Sequence, residues 1–111
     1  MKLMTKAIEA KFAKVGPQDE KGSSAKIIAK YFTPFSDWTW YATEYDPETR
    51  LFYGLVDGQY MESGYFSLDE FESLKGPFGG PGIERDLYWN DSKTIGEVED
   101  EKMASVHSGG W

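Results

Sequence analysis

Four stretches rich in Thr, Val, Tyr, Trp and Phe follow one another between Lys26 and Phe66, each parted from the next by a few turn-forming residues. β-Branched and aromatic side chains suit a pleated, half-buried surface, so the middle of the chain is committed to a sheet. The expected strands are Lys26–Phe32, Asp37–Tyr45, Leu51–Val56 and Gln59–Phe66, with a bend or bulge at Gly64. Thr33-Pro34-Phe35-Ser36 separates the first two, because proline cannot donate to a central ladder. Asp46-Pro47-Glu48-Thr49 carries proline at the second position of a turn. Asp57-Gly58 is a hairpin signal. Connections this short join antiparallel neighbours, so the strands form a meander.

Helices are expected on either side of this block. Met4, Ile8, Phe12 and Val15 recur at helical spacing, Thr5 is placed to cap them, and Gly16-Pro17 stops the run. Residues 16–25 have the composition of a polar, mobile linker. Ser67-Leu68-Asp69-Glu70 is a capping box that opens a short helix to about Leu74, with Leu68, Phe71 and Leu74 on one face. Residues 76–82 read as a structured loop, and Ile83–Trp89 as a short strand or extended packing segment. Thr94 and Glu97 cap a last short helix. The fold class is therefore α+β: a meander of about four strands flanked by an N-terminal helix and a short capped helix. The domain is expected to span residues 1–98, with a flexible tail from 99 to 111.

Composition excludes several chemistries. The 111 residues suffice for one domain that buries roughly 65% of the surface its unfolded chain exposes. There is no cysteine, which rules out disulfides, thiolate metal sites and a thiol nucleophile, and suits a reducing compartment. The N-terminus has no apolar signal core, and no stretch reaches the ~20 apolar residues of a membrane span, so a cytoplasmic location is expected. The one histidine, His107, falls in the expected tail, where it is a poor general base. The glycine-rich loop Gly76–Gly82 lacks the Gly-Lys-Ser/Thr ending of a phosphate loop and runs into Glu84 and Asp86. Carboxylates are numerous, yet no spacing marks a catalytic pair or a calcium loop. No catalytic residue, metal ligand or cofactor is assigned.

The net charge of −7 opposes direct binding to nucleic-acid phosphates and fits either plain solubility or an acidic surface that competes for a basic groove. Most of the 4 Trp, 7 Tyr and 7 Phe fall between Tyr31 and Trp89. Strict alternation places Trp38, Trp40, Ala42 and Glu44 on one face of the second strand and Thr39, Tyr41, Thr43 and Tyr45 on the other. One face packs on the helices, and any aromatics left over mark an interface. In Glu84-Arg85-Asp86 the two acids point one way and Arg85 the other. Arg85 is expected either to anchor a buried carboxylate such as Glu44 or to contact a partner. The candidate interface set is Trp38, Trp40, Tyr41, Tyr45, Arg50, Glu84, Arg85 and Asp86.

The strings FTPFSDWTWYATEYDPETRLFYG (Phe32–Gly54), GYFSLDEFESLKGPFG (Gly64–Gly79) and IERDLYW (Ile83–Trp89) together resemble the small bacterial family known as domain of unknown function 2958. The similarity runs from residue 1 to about 98. It departs mildly at Phe35 and Asp37, where members often have Trp and Asn, and in an expanded loop at Gly79–Gly82. The resemblance implies a setting among plasmids, phages and integrative elements, near genes for transfer or for evading host defence, and it carries over no catalytic residue. Three functions are weighed. The first is a non-enzymatic accessory protein that binds and inhibits a host defence protein with a basic groove, such as an RNA-guided nuclease. The second is a nucleic-acid-binding transfer factor that stacks bases on an aromatic sheet face. The third is a carboxylate- or metal-dependent enzyme.

Overall fold

Thr5 lies in extended backbone and its Oγ1 accepts a hydrogen bond from the Ile8 N–H at 3.1 Å, which starts helix α1 (Lys6–Val15). Gly16 ends it with φ 70°, returning its N–H to the Phe12 carbonyl at 2.9 Å. The structure, a computed structural model, describes residues 2–80, 82–90 and 92–108, without the side chains of 106–108. The side chain of His107 and residues 109–111 of the expected tail therefore lie outside the described part.

Strands β1 (Ala29–Phe32), β2 (Thr39–Asp46), β3 (Leu51–Asp57) and β4 (Met61–Ser67) form the meander. A two-residue strand β5 (Glu84–Arg85) adds beside β1, giving the antiparallel order β4-β3-β2-β1-β5. Helix α2 (Leu68–Ser73) follows β4 directly, its first turn capped by Ser67 Oγ on the Glu70 N–H at 3.2 Å. Helix α3 (Ile95–Ser108) is the last element. The fold is α+β.

Residues paired across strands share a face, and one face carries Ala29, Tyr31, Trp40, Ala42, Phe52 and Phe66. α1 lays Phe12 on it, and α2 lays Leu68 and Phe71. Phe52 is the hub. It has no exposed surface, and its ring centroid stands 4.9 Å from Tyr45, 5.2 Å from Tyr31 and Phe66, 6.0 Å from Phe12 and 6.1 Å from Phe71. The Tyr31 hydroxyl, buried here, donates to the Leu3 carbonyl at 2.7 Å. On the opposite face Ile27, Leu55 and Val98 form a smaller cluster, edged by Tyr41, Met61, Trp89 and Ile95.

Strict alternation fails in β2. Ala42 pairs with Gly54 and Glu44 with Tyr53, so Thr43 is an extra, bulged residue. Past it the faces exchange: Tyr45 joins Trp40 and Ala42 on the helix-covered side, and Glu44 turns to the side of Tyr41. The division of β2 expected from its sequence is therefore corrected for its last residues. The chain accommodates the bulge at two places. At Gly54, a Cβ would stand 1.9 Å from the Tyr41 carbonyl oxygen, so no side chain fits there. At Gln18, which is 2% exposed, the side-chain amide donates to the Thr43 carbonyl at 2.7 Å and to the Lys26 carbonyl at 2.8 Å, while its oxygen accepts the Lys26 N–H at 2.7 Å. Residues 16–25 are thus clipped to the sheet at Gln18. The β3–β4 register passes Gly54↔Gly64 without a shift, so the irregularity expected at Gly64 lies instead at Thr43.

Other boundaries move by smaller amounts. Residues 26–27 run beside the start of α3 rather than extending β1: Lys26 bridges Thr94, and the Ile27 N–H reaches the Lys93 carbonyl at 3.0 Å. Leu74 leaves α2 and is exposed. Thr94 and Glu97 cap α3 reciprocally, each backbone N–H reaching the other's side chain at 3.3 Å. The helix then continues through Ser108, past the expected end of the domain at residue 98. Past Val98 its residues through Ser105 are exposed, and Lys102–Asp57 (3.4 Å) and Lys93–Glu101 (2.8 Å) ion pairs tie it to the sheet and to its own entry.

Candidate protein-interaction surface

The aromatic residues singled out in β2 are mostly spent on packing. Trp40 meets Phe71 edge-on at 5.0 Å, and Tyr45 lies against Phe12 and Phe52. Tyr41 packs on Trp89 at 6.0 Å with the Lys30 ammonium 5.7 Å from its ring. Burial pushes the phenols of Tyr41 and Tyr45 above their ordinary range. Asp57, Glu101 and Asp86 add to the rise at Tyr41, and Arg50 opposes it at Tyr45. Trp38 is the exception. It is 41% exposed and lies over Gly58, where any Cβ would strike its ring at 2.5 Å.

The charged candidates are also engaged within the fold. Arg50 adopts φ 58° at the end of the β2–β3 turn, its N–H returning to the Asp46 carbonyl at 2.7 Å. Its guanidinium Nε stands 2.7 Å from Asp69 Oδ1, and its Nη2 pairs with Glu72, tying the turn to α2. Desolvation lowers its pKa, but Glu72 and Asp69 outweigh that and raise it. Arg85 does not anchor Glu44. Its Nε donates to the Lys2 carbonyl at 3.1 Å, whereas Glu44 Oε2 accepts the Gln18 N–H at 3.2 Å. The reason is topological: β5 pairs with β1 at the far edge from the bulge. Glu84 is opposite Phe32 in that pairing. Asp86 pairs with Lys30 at 3.7 Å and shares a hollow of about 460 Å³ with Trp38.

Within the strands, the most exposed aromatic lies elsewhere. α3 covers the end of the second sheet face that bears Tyr41, Leu55 and Met61. The other end of that face, with Leu51, Tyr53 and Tyr65, is left outside both core clusters. Tyr65 is 76% exposed, and its ring lies against Tyr53 across the β3–β4 pair, 4.9 Å between centroids and tilted by 50°. Two adjoining hollows flank this pair, of about 260 and 360 Å³, sharing Tyr53 and Glu44. Asp19 and Glu99 rim the first and Asp46 the second, and among the described residues no Lys or Arg lines either. An aromatic pair framed by carboxylates can stack against an apolar or cationic group while repelling anions. The signal for Tyr53 and Tyr65 was present in the alternation of Leu51, Tyr53 and Leu55 against Phe52 and Val56. Which of the two sets would be left open depends on the helices.

The family model described as "Protein of unknown function (DUF2958)" matches residues 3–105. The chain belongs to this family. The match reaches past Val98 and takes in most of α3, along with Asp19, Glu44, Tyr53, Tyr65 and Glu99. The DUF2958 region thus contains both the core and the candidate surface. No curated protein and no solved structure matches the chain. Among the described residues, no three His, Asp or Glu side chains are grouped to hold a metal ion, and no helix is long and apolar enough to cross a membrane.

Proposed function

We propose that this protein is a non-enzymatic binding module of a mobile genetic element, which inhibits a cytoplasmic host defence protein by occupying its basic nucleic-acid groove. The observation that carries this reading is the Tyr53–Tyr65 pair on the uncovered end of the sheet, framed by Asp19, Glu44, Asp46 and Glu99 without a lining cation. Such a surface offers aromatic anchors at its centre and negative charge at its rim, which steers a basic partner into contact. The net charge of −7 acts in the same direction at longer range. An RNA-guided nuclease is the class of target that best combines a basic channel with a role in host defence.

The test is DNA cleavage by RNA-guided nucleases from hosts of such elements, with and without this protein. Inhibition that weakens with salt, and is lost in a Tyr65→Ala, Glu44→Lys variant that still folds, is the expected result. Full nuclease activity across the panel at micromolar protein sinks the reading. The exposed tyrosine pair also favours a second reading, stacking of single-stranded bases. Salt-sensitive binding of oligonucleotides that is lost in Tyr65→Ala would select it over the first.

A further inference from the structure

Strand β4 is one edge of the sheet, and Glu62 is the one charge that protects it. It pairs with β3 continuously from Met61 to Ser67 with no bulge, and it contains neither Lys nor Pro. Natural edges this long are commonly broken, charged with lysine or covered. In an antiparallel strand, alternate residues direct their N–H and C=O away from the paired neighbour. None of the backbone hydrogen bonds outside the helices and sheet ladders starts or ends on Glu62, Ser63, Gly64, Tyr65 or Phe66 among the described residues.

Gly64 at the centre of this edge is not required by the fold. Its φ is not positive, the register passes through it unshifted, and a Cβ there would meet nothing within 4 Å. Glycine in a strand interior weakens it, and such a residue marks places where another backbone comes close. Its strand neighbours point to the kind of backbone. Tyr65 presents an exposed ring on the hollowed face, and Glu62 an exposed carboxylate on the opposite face. A strand laid beside β4 would place one side chain next to each of these groups, three positions apart and on opposite faces, and a Lys or Arg suits both positions, over the ring and beside the acid. A second copy of this chain would instead bring a further net charge of −7 to the same edge.

We propose that β4 accepts an extended, Lys/Arg-bearing segment of the partner protein as a sixth strand, centred on Gly64. The inference deepens the reading of the acidic surface and rests on it. Main-chain hydrogen bonds would supply much of the affinity, and the two cations, three residues apart, the specificity.

The experiment titrates the full chain with a seven-residue valine peptide that carries Lys at its third and sixth positions, opposite Tyr65 and Glu62 in an antiparallel pairing, and follows backbone amides by NMR. The expected result is slowed exchange of alternate β4 amides and binding that weakens with salt. The same peptide with the amides that would face β4 N-methylated is expected to bind at least about tenfold more weakly, since those main-chain bonds are lost. Ser63→Pro and Gly64→Pro each remove one donor. The variant whose donor faces outward keeps the fold and loses the peptide. Equal binding of the N-methylated peptide, with shifts confined to Tyr53, Tyr65 and the hollows, overturns strand addition while leaving the acidic-surface reading standing. No binding of either peptide at low salt overturns both. A dimer of the free protein with protected β4 amides also overturns the proposal, since the edge would then belong to a second copy.

Discussion

Phe52 and Tyr53 are neighbours in β3, similar in size and in strand preference, yet they belong to opposite regions of the molecule. Phe52 is wholly buried among rings supplied by α1, α2 and three other strands, whereas Tyr53 pairs with an exposed Tyr65 at the margin of two hollows. The difference shows that aromatic content alone did not assign roles here. Two helices lie on the first face, and a single helix covers one end of the second. Stability is concentrated where rings meet rings, and the surface left for a partner is where the helices stop.

Truncating the hub breaks the first region outright. Phe52→Ala should cost about 3–5 kcal/mol, a large share of the roughly 5–15 kcal/mol that holds a small domain together. Urea unfolding followed by tryptophan fluorescence measures it. Gln18→Ala comes next, because it orphans the buried Thr43 carbonyl, which costs about 1–3 kcal/mol, and frees the part-buried Lys26 N–H and carbonyl at smaller cost. A loss below about 1 kcal/mol in the same assay would show that water replaces the clip.

The buried phenol gives a pH signature to the helix-covered face. Burial raises the Tyr31 pKa above its ordinary value of 10.0, against the opposing pull of Arg85. The folded state therefore holds the proton more tightly than the unfolded state, and its stabilisation is complete below pH 10. Above that pH the unfolded chain releases the proton first, so stability falls as pH rises. Thermal melts from pH 8 to 11 should show this decline beginning at about pH 10, and Tyr31→Phe should make it shallower. Tyr31→Phe also leaves the Leu3 carbonyl without its donor, which costs about 1–3 kcal/mol at neutral pH.

The uncovered end should respond weakly in stability. Tyr65→Ala removes one cross-strand aromatic pair and should cost no more than about 1 kcal/mol, so a binding defect in that variant reports on the surface rather than on unfolding. At the β2–β3 turn, Arg50→Ala should lower the melting temperature, and Arg50→Gly should lower it by less, because glycine takes φ 58° without strain.

Much of the fold was legible along the chain. The caps at Thr5, Ser67 and Thr94 were placed correctly because a cap is a contact over three residues. The meander and its turns were readable because short connections leave antiparallel pairing as the natural outcome. The candidate surface was harder to read. Trp38, Trp40, Tyr41 and Tyr45 drew attention by density, yet the last three are half-buried in packing. Tyr53 and Tyr65 carry no local mark that separates them from core aromatics. The linker at residues 16–25 looked mobile because the partners of Gln18 lie at Lys26 and Thr43, the second 25 residues away.

By itself the sequence determined which segments are strands and helices, where the helices start, and that the chain is acidic and without cysteine, since these follow from local propensity and composition. Tertiary structure decided which aromatics stay exposed. One bulged residue, Thr43, shifts a period of two and sends Tyr45 to one face and Glu44 to the other. Where α1, α2 and α3 come to rest then settles which end of each face is covered. Both depend on contacts between residues far apart in the chain, and the residues concerned look alike until the sheet is assembled.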